Sequence, residues 1–281
     1  METVDIIYRY NPRETAIRPL PSDSNAALFR LEEGNKSFAA LVDHAKDVSG
    51  IQQVIPVDPH DLGLMSGSSE RAKQRPFAAI LGCSDARVPV ELVFNEGPND
   101  LFVIRVAGNG LGTEVLGSLK YAMENLGGSL KLIVVLGHSG CGALTTAVDV
   151  FLNPGDYLPL ATKHSLRNIL DRLLLVVQTS ARKLLAEFGT DVVLCPGYRK
   201  ALIEASIVTN AALADKNLGS AHQLNCKLFM AFIFLRLARY GYRVSAIWKG
   251  AGWLGRLETS ADLSTLVRQL SNHVVLHHIS T

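Results

Sequence analysis

Three compact apolar runs, PFAAILG, DLFVIRVAG and LKLIVVLG, fall between residues 76 and 137, and each closes on glycine. Runs this short and this continuously apolar suit strands buried on both faces, the pattern of a parallel sheet rather than of a half-solvated antiparallel one. Parallel neighbours need a crossover connection. The segment TEVLGSLKYAMENL supplies it, because Val115, Leu116, Leu119, Ala122, Met123 and Leu126 share one helical face, with Thr113 expected as its cap. The expected fold is therefore α/β: a mostly parallel central sheet with helices on both faces, an N-terminal helical arm and a helix-rich C-terminal part. A chain of 281 residues with 48% hydrophobic content can bury one large core of this kind.

The flanking regions carry weaker signals. Pro12, Pro19 and Pro21 mark residues 1–20 as an irregular arm, and residues 22–25 offer caps for a helix to about residue 42. Residues 45–75, with Gly50, Pro56, Pro59, Gly63 and the polar SGSSERAKQR, read as a long loop with one short helix. Residues 1–75 thus form an arm, helix and loop preceding a single domain over 76–281. Beyond Cys141 the spacing predicts helices over 142–152, 164–188, 199–217 and 221–240, a strand near 244–248 and a last helix near 261–272. LFMAFIFL, residues 228–235, is expected inside a buried helix, since it is far shorter than the roughly 20 residues of a membrane span.

In open parallel sheets, ligands collect beyond the carboxyl ends of the strands, where the strand order reverses. Two of the apolar runs end there in residues with metal chemistry. LGCSDARVP, residues 81–89, places Cys83, Asp85 and Arg87 at alternate positions, and an extended chain would point all three the same way. LGHSGCGA places His138 and Cys141 three apart at a strand-to-helix turn, where Gly137, Gly140 and Gly142 allow close backbone approach. Cys83, His138 and Cys141 together make a Cys2His set that leaves one tetrahedral position open, the arrangement of catalytic rather than structural zinc. The competing readings are small buried cysteines beside a satisfied core histidine, or a disulfide between Cys83 and Cys141.

GCSDARVPVE followed by VVLGHSGCGA resembles the paired signatures of the β-class carbonic anhydrases, and FNEGPNDLFVIRVAGN extends the likeness across residues 74–143. The resemblance implies one zinc ion per chain on Cys83, His138 and Cys141, and a salt-bridged pair of Asp85 and Arg87 beside it. It implies reversible hydration of carbon dioxide to bicarbonate and a proton by attack of zinc-bound hydroxide. It also implies an apolar substrate pocket from Phe102, Ala107 and Tyr121, with Gln74 facing a partner subunit's site, and hence a homodimer or higher even-numbered homo-oligomer. The chain departs from the family in Ala86, where serine is usual, and in a crossover to His138 about two residues longer than common. Ile80 stands where the subgroup with a regulatory bicarbonate site has tryptophan, so that regulation is not expected. Relatives on this scaffold hydrolyse carbonyl sulfide or carbon disulfide with the same ligands, and a non-catalytic zinc scaffold or sensor is the third reading.

Charge and composition exclude other classes. With 28 basic and 26 acidic residues interspersed and a net charge of +2, nothing favours nucleic acid or an acidic membrane as partner. The acidic METVDIIYRYNPRE start lacks the order of a signal peptide, so a cytoplasmic location is expected. Cys195 and Cys226 read as ordinary thiols, and the HVVLHH tail with His273, His277 and His278 as a strand or turn.

Overall fold

The computed structural model describes residues 3–10, 18–44, 51–63, 72–162, 164–220, 229–238 and 241–249. In chain order its regular elements are β1 (Val4–Tyr10), α1 (Ser24–His44), β2 (Ile51–Val57), β3 (Ala78–Gly82), α2 (Val90–Val93), β4 (Leu101–Arg105), α3 (Thr113–Leu126) and β5 (Leu132–His138). There follow α4 (Gly142–Leu152), α5 (Tyr157–Ala161), α6 (His164–Phe188), α7 (Tyr198–Ser220), β6 (Phe229–Ala238) and β7 (Gly241–Lys249). The main sheet has the order β4-β3-β5-β6-β7. Its first four strands are parallel and β7 runs antiparallel to β6.

Alternation along the strands builds two cores. Ala79, Leu81, Ile133 and Val135 face α3, α4, α6 and α7, whereas Ala78, Ile80, Leu132, Val134 and Leu136 face α1 and α2. Both faces are covered, as the glycine-closed apolar runs predict. From β3 the chain steps to β4 on one side and then, through α3, crosses to β5 on the other, so the strand order reverses between β3 and β5. The carboxyl ends of those two strands carry Cys83, His138 and Cys141.

The crossover helix spans the expected residues, burying Val115, Leu119, Ala122 and Leu126. Its N-cap is Gly112, with no side-chain cap, so the expected role of Thr113 is corrected. Thr113 is instead the first helical residue.

Three further expectations are overturned. The arm contains a strand, β1, and the expected long loop contains β2; the two pair in parallel from Val4 with Ile51 to Tyr10 with Val57. Neither segment has a partner nearby in sequence, so local turn and proline signals dominated the reading. The expected helix over 221–240 is also wrong, because 229–238 is β6, held against β5 from Leu132 with Phe229 to His138 with Leu235. A short apolar run does not distinguish strand from buried helix by periodicity, and here the open edge of β5 decides. The strand expected near 244–248 is present as β7, while Cys226, the helix expected near 261–272 and the histidine tail lie outside the described residues. No helix among the described residues is long and apolar enough to cross a membrane.

Candidate metal centre

The two motifs reach the site by different routes. β3 ends at Gly82, and Cys83 follows it directly, 4% exposed. The chain then turns, with Val88 N–H donating to the Asp85 carbonyl, so Asp85 and Arg87 do not continue an extended strand as the alternation suggested. Their proximity comes from the turn. Asp85 Oδ1 accepts the Arg87 backbone N–H at 2.9 Å, and the guanidinium donates Nε to Oδ1 at 3.0 Å and Nη2 to Oδ2 at 2.7 Å. Arg87 Nη2 also donates to the Gly140 carbonyl at 3.1 Å, tying the first motif to the second. At the end of β5 the chain turns through Gly140, whose φ of 66° only glycine adopts freely, and delivers Cys141 to the N-cap of α4. Of the other glycines, Gly137 lies against Ile207 and Ala211 of α7, whereas Gly142 has nothing close to its missing Cβ and needs no such freedom.

The ligand atoms of Cys83, His138 and Cys141 lie within 4.8 Å of one another, all three residues buried. Cys83 Sγ and Cys141 Sγ are 3.9 Å apart, and both cysteines are free, which removes the disulfide reading. Two thiolates bound at about 2.3 Å to a tetrahedral ion would stand about 3.8 Å apart. His138 Nδ1 lies 3.1 Å from the Ser139 carbonyl, which as acceptor selects the tautomer that leaves Nε2 with a bare lone pair. Nε2 is buried and has no hydrogen-bond partner among the described residues, in a side chain only 1% exposed. An orphaned imidazole nitrogen facing two thiols is what a satisfied core histidine would not show, and the donor set fits zinc.

Electrostatics agree with the geometry. Donation from Cys141, against the opposing effect of burial, pulls the Cys83 thiol well below the usual thiol range, aided by His138 and the N–H groups of Gly108 and Asp85. The Cys141 thiol is pushed up, first by its hydrogen bond to Cys83 and then by burial. The Arg87 hydrogen bonds hold the Asp85 carboxyl at about 2, so it is an acceptor at any neutral pH, with Oδ2 3.9 Å from His138 Nε2.

The expected pocket residues separate. Ala107 lines an apolar cavity of about 340 Å³ beside the site, with Gly142, Ala143 and Thr146 on one side and leucines of α5 and α6 on the other. Phe102 and Tyr121 are not in its lining; their rings sit 6.5 Å apart, with Tyr121 49% exposed. Gln74 is exposed. Two contributors escaped the sequence reading. Arg105 donates Nε to the Cys83 carbonyl at 3.0 Å and Nη2 to the Asp85 carbonyl, pinning the turn. Gly108 N–H points at Cys83 Sγ at 3.4 Å. A charged residue closing an apolar strand, in FVIRVAGN, was the available signal for the first.

Residues 78–194 match the family model described as carbonic anhydrase. Carbonic anhydrase 2 of Mycobacterium tuberculosis is 37% identical over 143 residues, 50% of this chain and 61% of that protein. The carbonic anhydrase of Mycolicibacterium smegmatis is 44% identical over 131 residues, 46% of this chain and 56% of that one. The chain thus spans less than two thirds of the length of these curated relatives. A Coccomyxa beta-carbonic anhydrase structure superposes with a TM-score of 0.51 at 21% identity, over 90% of this chain and 99% of that one, a likeness of fold.

Proposed function

We propose that this chain, whose residues 78–194 match the carbonic anhydrase family model, catalyses the reversible hydration of carbon dioxide with one zinc ion held by Cys83, His138 and Cys141. The observation that carries this reading is the orphaned His138 Nε2 facing two thiols at tetrahedral spacing, beside a carboxylate locked by Arg87. Zinc there would supply a Lewis acid that makes water acidic enough to act as a nucleophile. Every other contribution comes from the chain. Asp85 accepts the hydrogen of the nucleophilic water and so aims its lone pair at the carbon. Arg87 keeps that carboxylate ionised and fixed by two parallel bonds. Ala107 and the aliphatic wall of α5 and α6 offer a small neutral molecule an apolar space free of competing hydrogen bonds.

Retention of the Asp85 and Arg87 pair argues against a purely structural zinc, which needs a fourth ligand but no activating carboxylate. Two thiolates offset the charge of the divalent ion, so activity should favour alkaline pH. We further infer a homodimer or larger even-numbered assembly. Gln74 is exposed, and Phe102 and Tyr121 lie outside the chain's own cavity, as residues offered to a neighbour would. Two free cysteines 3.9 Å apart suit a reducing compartment, hence the cytoplasm.

Stopped-flow hydration of carbon dioxide from pH 7 to 9, with zinc quantified and carbonyl sulfide hydrolysis run in parallel, tests the reading. Turnover should rise through an apparent pKa above neutrality. A fully zinc-loaded protein that leaves carbon dioxide untouched throughout, or hydrolyses only carbonyl sulfide, would overturn it. Light scattering that finds an active monomer at micromolar concentration would remove the assembly.

A further inference from the structure

The family match ends at residue 194 and α7 begins at Tyr198, yet α7 reaches the end of β5, which carries His138, and the turn after β4, which faces Cys83. Its Ile207 and Ala211 lie against Gly137, next to His138: a Cβ added at Gly137 would stand 3.4 Å from Ile207 and 3.5 Å from Ala211. Between them on the helix, Asn210 crosses to the turn Ala107–Asn109 that follows β4. Asn210 Nδ2 donates to the Gly108 carbonyl at 2.6 Å, a buried contact between residues 102 positions apart. Gly108 is the residue whose N–H faces Cys83 Sγ. From α6, Leu173 closes on the same glycine, with Cδ1 3.0 Å from where a Cβ would be.

Gly108 holds φ 66° and ψ 22°, a conformation that its own chain does little to enforce. Fixing its carbonyl removes the freedom on one side, and the aim of its N–H on the other side of the residue follows. Asn210 is 7% exposed and surrounded on α7 by Ala211 and Ala212, so its amide is a polar group buried for a reason. Only a donor satisfies the Gly108 carbonyl: aspartate would present acceptors alone, and leucine neither.

We propose that Asn210 is a positioning residue for the metal centre, which by anchoring the Gly108 carbonyl keeps the Gly108 N–H on the Cys83 sulfur. A hydrogen bond to a ligating thiolate draws electron density from the sulfur, and partners one step beyond the ligands typically tune metal affinity 10- to 100-fold. The inference rests on the metal-centre reading and deepens it, because it places part of the site's control in a helix beyond the family match.

The test uses cobalt(II) in the full chain, with wild type, Asn210→Leu and Asn210→Ala compared for the thiolate-to-cobalt charge-transfer band and for cobalt affinity by chelator competition. Folding is checked by circular dichroism. The variants should shift the band to longer wavelength, as Cys83 becomes the stronger donor, yet bind cobalt roughly 10-fold more weakly, because the Cys83 sulfur is no longer held in place for the metal. Folded variants with the wild-type band and affinity would overturn the role of Asn210 while leaving the metal centre intact. A wild type with no thiolate band would overturn both. If neither variant folds, the side-chain amide of Asn210 in the cadmium-loaded wild type decides: slowed hydrogen exchange supports the proposal, and exchange as fast as that of a free asparagine refutes it.

Discussion

Two carboxylates in this protein are clasped by guanidinium groups in nearly the same geometry, yet their acidities shift in opposite directions. Asp85, beside the proposed metal ligands, takes two parallel bonds from Arg87, whose side chain is 58% exposed. Glu96, in the loop after α2, takes Nε of Arg30 at 2.9 Å on one oxygen and Nη2 on the other, with Arg18 at 3.0 Å and Asp100 sharing Arg30. Glu96 is 1% exposed, and Arg30 in turn lies over the Phe77 ring at 4.4 Å. The Arg87 bonds hold Asp85 at about 2, whereas burial pushes Glu96 up to about 7 against the pull of Arg30 and Arg18. Pairing is common to both; access to water differs. A carboxylate that must stay ionised beside the proposed metal centre is kept near solvent, and one that ties α1 to the loop after α2 can sit where its charge is costly.

The sharpest break lies at the centre itself. Cys141→Ser should lose most of the zinc, since a neutral hydroxyl replaces a thiolate, while the Glu96 cluster stays intact. Metal analysis on the purified variant checks this, and stoichiometric zinc would remove the site. At the other cluster, Arg30→Ala strands the Glu96 charge and should cost about 3–5 kcal/mol in urea unfolding at pH 8. The cost should be smaller at pH 5, where a protonated Glu96 needs no partner; an equal cost at both would mean that Glu96 is ionised throughout.

The pH dependence of stability has a definite sign. A carboxyl raised in the folded state contributes stability that is complete below the unfolded value of 4.5 and is lost as pH climbs through about 7. Denaturant midpoints measured from pH 4.5 to 8 should show this loss, on the order of 3 kcal/mol, and Glu96→Gln should flatten it. Asp85 contributes in the other direction, with stability present above 3.8 and lost as pH falls through about 2. The smallest effect in energy is the most local. Asp85→Asn keeps the shape but cannot form the ionic pair, so turnover should fall about 10²-fold, some 2.7 kcal/mol, with zinc content retained and the melting temperature lowered by the loss of the Arg87 pairing. An Asp85→Asn enzyme as fast as wild type would reduce the pair to a structural clasp like the one at Glu96.

The likeness between the two clasps was invisible in sequence for one of them. Cys83, Asp85, Arg87, His138 and Cys141 lie in two short motifs, and residue type with spacing was enough to gather them. Glu96 meets Arg30 across 66 positions and Arg18 across 78, and nothing in NEGPND or FRLEE marks the partners. Asn210 belongs to the same group, since its contact with Gly108 exists only once α7 is laid on the sheet.

What the sequence determined by itself is what depends on neighbours along the chain. Apolar runs closed by glycine marked β3, β4 and β5, a 3.6-residue stripe marked α3, and strand-end motifs marked the cluster of Cys83, His138 and Cys141, because side-chain direction over a few residues follows from backbone geometry. Tertiary structure decided everything that needed a distant surface. The 229–238 segment is a strand because β5 had an edge to complete, and β1 and β2 exist because each pairs with the other across α1. Asp85 meets Arg87 through a turn that Arg105 pins from the end of β4, and His138 Nε2 is left bare because burial removes water and Ser139 takes the other nitrogen. The free energy of those choices lies in hydrogen bonds and burial formed between segments far apart, for which a local pattern carries no term.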